Sequence, residues 1–260
     1  MEDKKKKTKK RFRIYEKYFK RLIDIVGALI LLILLSPIML VISIISCFAV
    51  GRPIVFSQYR PGRDGKVFKL FKFRSMSNKK GKNGKLLPDA ERVTKFGMFL
   101  RKSGIDEILQ LINILKGDMS FVGPRPRLVE DLVFYDEETL KAYRVRPGIA
   151  GLAQYKGGRL DCSWEDIFKY DLEYSENITF LGDIKIVLKT IITVLKKEWF
   201  SKNSKKNKRE YYYSNYLLKN GKITKDQYNK GFDYASKIIE EKGKVEFRKD
   251  LQQKNRKDNI

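Results

Sequence analysis

Asp106 and Glu107 stand side by side near the start of a helical pattern, and the stretch 101–128 that carries them closes on Pro124-Arg125-Pro126. Ionised carboxylates near arginine-bearing, proline-stiffened loops are residues for phosphate chemistry, because guanidinium groups match phosphate oxygens bidentately and a carboxylate can attack phosphorus. The chain contains no histidine, which excludes mechanisms that use imidazole as base, metal ligand or partner of a nucleophile. An aspartate needs no such help. With an ordinary pKa of about 3.9 it is charged at neutral pH and can act as a nucleophile without a general base.

Adjacent side chains on a helix diverge by about 100°, so Asp106 could face phosphorus while Glu107 reaches a divalent ion bridging the phosphate oxygens. Mg2+ held by one or two carboxylates plus substrate phosphates is the expected arrangement. A purely structural explanation competes with this one. Ser103, followed three residues later by an acid, has the spacing of a capping box, and acids in a first turn complement the helix dipole. On spacing alone, capping is the stronger explanation. Lys72, Arg74, Arg101, Arg125, Arg146 and Arg159 are the candidate phosphate contacts. Singly each is an ordinary solvated cation, and only together do they rise above that baseline.

These residues need elements to hold them. Ile105, Ile108, Leu109, Ile112 and Leu115 make one apolar helical face, with Asp106, Gln110 and Asn113 on the other. Upstream, alternating residues 53–59 and 67–73 predict a strand pair around Arg60-Pro61-Gly62, followed by a Lys/Gly/Asn loop at 78–85. Downstream, helices are predicted over 129–143 and 182–199, with a turn at Arg146-Pro147-Gly148. From Ser201 the chain is charged and aromatic-spotted. It reads as a peripheral or partly disordered tail, with at most a small helical element over 223–239.

Residues 25–50 form an uncharged apolar run of 26, longer as a straight helix than a hydrocarbon core of about 30 Å. A cleaved signal peptide does not fit, since its apolar region is only about 7–15 residues long. Pro37 removes an amide donor mid-run and predicts a bend, and the Ser36 hydroxyl could satisfy part of the freed backbone. Two topologies compete: a kinked crossing, and a helix-break-helix that dips in and returns. Basic residues flank both ends, Lys17, Lys20 and Arg21 before and Arg52, Arg60, Arg63 and Lys66 after. The positive-inside tendency therefore favours re-entry.

The net charge of +25 calls for an anionic partner: nucleic acid, an anionic membrane surface or phosphorylated substrates. The basic arm from Lys4 to Arg13 would add attraction to an anionic leaflet. Two cysteines, Cys47 and Cys162, form no metal-ligand spacing and no disulfide framework. The 42% hydrophobic content is enough for one substantial core with appendages.

The strings Lys20-Arg21 with Asp24, Ser36-Pro37, Arg60-Pro61-Gly62, Lys72-Phe73-Arg74-Ser75-Met76, Leu100-Arg101, Asp106-Glu107, 115–120 (LKGDMS), 122–126 (VGPRP) and 145–149 (VRPGI) occur in that order. Over roughly residues 20–193 the chain resembles the bacterial sugar transferases, the monotopic phosphoglycosyl transferases that act on polyprenyl phosphate. The resemblance implies an α+β, mainly helical fold: a re-entrant membrane helix-break-helix followed by a compact cytosolic catalytic domain. The implied divisions are a basic arm at 1–21, the membrane helix at 22–50, the catalytic domain at 51–200 and a basic tail at 201–260.

It further implies that Asp106 is the nucleophile of a phosphosugar-enzyme intermediate and that Glu107 binds magnesium. Lys72, Arg101, Arg125 and Arg159 become the substrate contacts. The implied reaction transfers a sugar 1-phosphate from a nucleotide diphosphate sugar, usually a UDP-sugar, to undecaprenyl phosphate and releases UMP. It would take place at the cytoplasmic face of the bacterial inner membrane. A homodimer is compatible with this reading, and no nucleic-acid partner is expected. Two departures stand out: Leu109 where the family usually has Pro, and AGLAQYKGGR at 150–159 where it tends toward TGLAQVNGR. They keep a noncatalytic scaffold of a polysaccharide assembly complex open as an alternative. A membrane-anchored nucleic-acid binder, motivated by charge and by the tyrosines at 211–213, is the other.

Overall fold

The computed structural model describes residues 14–157, 162–195 and 212–246. The basic arm at 4–13 and Arg159 lie outside them. The chain is mainly helical and runs α1 (Lys20–Ala49), β1 (Val55–Pro61), β2 (Val67–Phe73), α2 (Asp89–Arg92), α3 (Lys95–Ser103), α4 (Gln110–Lys116) and β3 (Ser120–Val122). There follow α5 (Val129–Leu132), α6 (Glu137–Leu140), β4 (Gly148–Ala150), α7 (Leu152–Gly157), α8 (Trp164–Glu176), α9 (Phe180–Leu195), α10 (Tyr213–Lys219) and α11 (Lys225–Glu241). It divides into two compact units, the smaller comprising 22–58 and 70–117 and the larger 1–21, 59–69 and 118–260.

In the smaller unit α1 is long and apolar enough to cross a membrane. At 30 residues it measures about 45 Å, and Leu29, Ile33, Leu34, Leu40 and Phe48 are among its exposed side chains. The expected break between two helices is not present: α1 is continuous through Pro37. Its chemistry follows the sequence reading all the same. A proline at 37 leaves the Ile33 carbonyl without its amide donor, and the Ser36 hydroxyl donates to that carbonyl at 2.8 Å. Further along, Met39 and Ile42 turn inward and pack with Phe71, Phe73, Phe96, Leu100, Ile105 and Leu109 as a small core.

The larger unit holds β3 and β4 in parallel register, Ser120 opposite Gly148 and Val122 opposite Ala150. Three backbone bonds extend the pairing, from Ser120 to Pro147, from Gly123 to Ala150 and from Gly148 to Pro124, each 2.9 Å. The two glycines are required by this closeness. A Cβ at Gly123 would collide with the Arg146 carbonyl, and one at Gly148 with the Gly123 amide. The Gly-Pro-Arg-Pro and Arg-Pro-Gly strings are thereby one piece of structure.

Two expectations fail here. The helix predicted over 129–143 is split, because Asp136 accepts the Thr139 amide at 2.8 Å and starts a new helix. The expected peripheral tail is, over 212–246, part of the core: Leu217, Ile223, Ala235, Ile238 and Val245 pack with Val129, Leu132, Val133 and Phe134. Thr224 and Gln227 form a full capping box for α11, which runs 17 residues because its apolar face has that core to bury against.

Candidate active site

Lys72, Arg74, Arg101, Asp106 and Glu107 lie in the smaller unit. Lys72 comes from β2, Arg101 from the last turn of α3, and Asp106 and Glu107 from a 3-10 turn, Ile105–Glu107, between α3 and α4. Gly104, in the left-handed region at φ 73°, ends α3 and turns the chain into this segment. The turn breaks the single helix expected from 105 onward and shifts the phase of its faces. Gln110 and Asn113, expected on an outer polar stripe beside Asp106, are buried, while Ile112, expected inside, is exposed. Asn113 is needed in the interior, where its Oδ1 accepts the Phe71 amide at 3.1 Å and ties α4 to β2.

The capping explanation for Asp106 does not hold. Ser103 belongs to the end of α3, and its hydroxyl donates backward to the Phe99 and Leu100 carbonyls at 2.9 and 3.1 Å. Asp106 is a buried carboxylate, at 8% exposure. Beside it the Lys72 ammonium stands 3.0 Å from Glu107 Oε1. Their side chains are 21% and 16% exposed, so this ion pair is shielded from water without being sealed from it.

Arg101 is held by a partner that pattern reading did not single out. Its Nε donates to the Ser75 hydroxyl at 2.7 Å. The same stretch of β2's exit lies flat against α3 at Gly97, where any Cβ would overlap the Ser75 carbonyl. Ser75 thus serves as a docking point for α3 and as an orienting acceptor for Arg101. The only sequence signal for it was its place in the string Lys72–Met76, since its contacts are 22 and 26 residues away.

Arg125 lies in the larger unit, half-buried in the loop after β3. That unit also contains acids the sequence reading passed over. Asp131 and Asp171 are both nearly fully buried. Burial pushes Asp171 up to about 7 against the opposing pull of Arg127. Asp131 is raised for the same reason, with bonds from Ser214 and Tyr213 and the Arg127 charge working against it. Two buried tyrosines, Tyr135 and Tyr143, are likewise raised by burial.

Among the described residues there is no cluster of three or more His, Cys, Asp or Glu side chains. Glu107, partly exposed beside Lys72, is a hard oxygen donor of the kind Mg2+ takes, with water and substrate phosphates as its usual other ligands. The family model of the bacterial sugar transferases matches residues 15–197. The chain belongs to that family. It is 45% identical over 179 residues to the uncharacterized sugar transferase EpsL of Bacillus subtilis, covering 69% of this chain and 88% of the relative.

It is 40% identical over 183 residues to the UDP-glucose:undecaprenyl-phosphate glucose-1-phosphate transferase of Escherichia coli, covering 66% of this chain and 39% of that protein. To the undecaprenyl-phosphate galactose phosphotransferase of Salmonella typhimurium it is 34% identical over 199 residues, covering 70% and 41%. The chain spans about two fifths of the length of these last two relatives. Membership makes it a sugar-phosphate transferase, an enzyme of the transferase class.

Proposed function

We propose that this bacterial sugar transferase moves a sugar 1-phosphate from a UDP-sugar to polyprenyl phosphate through a covalent aspartyl intermediate on Asp106. A carboxylate oxygen of Asp106 forms a bond to the sugar-bearing phosphorus as the bond from that phosphorus to the UMP oxygen breaks. UMP then leaves with the electron pair. In the second displacement a phosphate oxygen of the lipid attacks the same phosphorus and returns the carboxylate, giving a polyprenyl diphosphate sugar. No proton transfer is required in either step, which suits a chain without histidine.

The other side chains divide the electrostatic work. Glu107 would hold Mg2+, which when bound supplies positive charge on the phosphate oxygens. Lys72 keeps Glu107 in place and adds a cation of its own at 3.0 Å. Arg101, fixed at Nε by Ser75, offers its terminal nitrogens to phosphate, and Arg125 and Arg159 are the other proposed substrate contacts.

The observation that carries this reading is the small core in which Ile105 and Leu109, flanking the acid pair, pack with Met39 and Ile42 of the apolar helix. A nucleophile built against a membrane helix is placed for a phosphate carried on a lipid. Leu109, the departure from the family pattern, is spent on that core at 6% exposure. Incubation of the protein with a UDP-sugar, polyprenyl phosphate and magnesium should release UMP and leave a glycosyl phosphate on the Asp106 peptide after rapid quenching. Active protein with no such adduct under conditions that preserve acyl phosphates would reassign the nucleophile.

Re-entry of α1 from the cytoplasmic face, by a bend at Pro37 within the continuous helix and not by a break, belongs to the same proposal. Basic residues at both ends of the helix support it. In a Cys47- and Cys162-free background, cysteines at Lys17 and Arg63 should be labelled from the same side of the membrane. Labelling from opposite sides would make α1 a crossing helix.

A further inference from the structure

The family match ends at residue 197, yet residues 212–246 are folded into the larger unit. Their contacts converge on the element that follows the Pro-Arg-Pro loop. Asp131 of α5 accepts at Oδ1 from the backbone amide and the hydroxyl of Ser214, at 3.0 and 2.9 Å, and so anchors the start of α10. Tyr213 meets the Trp164 ring at 5.2 Å and the Phe168 ring at 5.0 Å. The Arg127 guanidinium lies over that same Trp164 ring at 5.2 Å.

Arg127 is therefore turned inward. It covers an indole, and it stands two residues past Arg125 with only Pro126 between. Two further contacts close the bracket from the other side. Val245 donates to the Gly65 carbonyl at 3.0 Å, beside the Lys66–Lys244 bridge, and Gly231 lies flat against the Phe134 ring.

We propose that the segment 212–246 is a positioning module for the donor-binding loop: Ser214, through Asp131, whose own amide donates to the Leu128 carbonyl at 3.2 Å, sets the backbone of 123–128 so that Arg125 receives the diphosphate of the nucleotide sugar. The inference rests on the function proposed above for its substrate, and on the bonds just described for its mechanism. Ser214 and Asp131 are positioning residues, because neither is asked to touch substrate. A cationic loop that must meet a diphosphate gains from being fixed beforehand, since the ordering is then not taken from binding.

The test uses the full chain with Ser214→Ala, its conservative counterpart Ser214→Thr, and Tyr216→Phe. Tyr216→Phe removes a bond from the same helix to Glu165, at 2.9 Å, that does not lead to Asp131. Ser214→Ala should raise KM for the UDP-sugar about fivefold or more with kcat within about twofold. Amide exchange at Gly123, Arg125 and Arg127 should quicken about tenfold. Ser214→Thr should restore both, and Tyr216→Phe should change neither.

A merely structural loss would lower the active fraction and leave KM alone, so an unchanged KM with unchanged exchange overturns the proposal. Equal effects of Ser214→Ala and Tyr216→Phe would overturn it as well, since the route through Asp131 would then carry nothing special. Should the unaltered protein turn over no UDP-sugar, the functional reading fails instead, and the exchange comparison still decides whether Ser214 orders the loop.

Discussion

Acids and cations meet in both units of this protein, under opposite conditions. In the smaller unit Lys72 and Glu107 pair one to one, part-shielded, beside Asp106. In the larger unit two acids, Asp131 and Asp171, are buried, and burial raises both against the opposing charge of Arg127. The first arrangement sets a cation against a carboxylate that solvent still reaches. The second holds carboxylates where charge is costly, so what they contribute is shape.

The largest expected effect tests the first half of that contrast. Asp106→Asn removes the attacking oxygen anion and should lower turnover by at least about 10^4-fold while the melting temperature stays close to that of the unaltered protein. UMP release and a thermal melt in the same detergent check it. Retained turnover would mean that the reacting acid is elsewhere.

Asp171 tests the second half through pH. Its folded pKa of about 7 lies above the unfolded value near 3.8, so between those values the folded chain binds more protons than the unfolded one. Stability from this group is therefore present at low pH, declines as pH rises from about 4 to 7, and is fully lost above that. Asp171→Asn, which stays neutral throughout, should match the parent near pH 4 and exceed it at pH 8 by a few kcal/mol, on the order of the shift. Denaturant melts at the two pH values measure this. A stability difference that does not vary with pH would remove Asp171 from the group of strained acids.

Smaller in effect, Lys72→Met asks whether the exposed pair serves a function. Losing the cation beside Glu107 should raise the magnesium concentration needed for half-maximal rate about tenfold, in line with other groups that orient metal ligands. A magnesium dependence unchanged by the substitution would leave the pair with a purely structural part.

How far the sequence foretold this contrast depends on the range of the contacts. The hairpin β1–β2 was legible because Arg60-Pro61-Gly62 and the flanking alternation are local signals. So was the role of Ser36, which acts three residues away. Ser163, which accepts the Asp166 amide at 3.0 Å, and Thr224 with Gln227 were equally local helix starts that pattern reading undervalued. What sequence could not show is the interior use of polar groups. Asn113 is buried because Phe71 needs an acceptor, Asp131 because Ser214 does, and those partners lie 42 and 83 residues away. A polar residue on a helix reads as solvent-facing until its distant partner is known.

The apolar helix carries the smallest predicted effect and the most direct test of a local reading. A proline in a helix interior costs about 3 kcal/mol, part of it from the carbonyl it strands. In α1 that carbonyl, on Ile33, receives the Ser36 hydroxyl at 2.8 Å. In hydrocarbon no water can replace that donor, and a hydrogen bond of this kind is worth about 1 kcal/mol net. Ser36→Ala should thus destabilise the detergent-solubilised protein by about 1 kcal/mol, and Ser36→Thr, which keeps the hydroxyl, should restore most of it. Pro37→Ala in the Ser36→Ala background supplies an amide where the proline had none, and it should recover the loss without any hydroxyl. Failure of that double variant to recover would mean that Ser36 acts on something other than the stranded carbonyl.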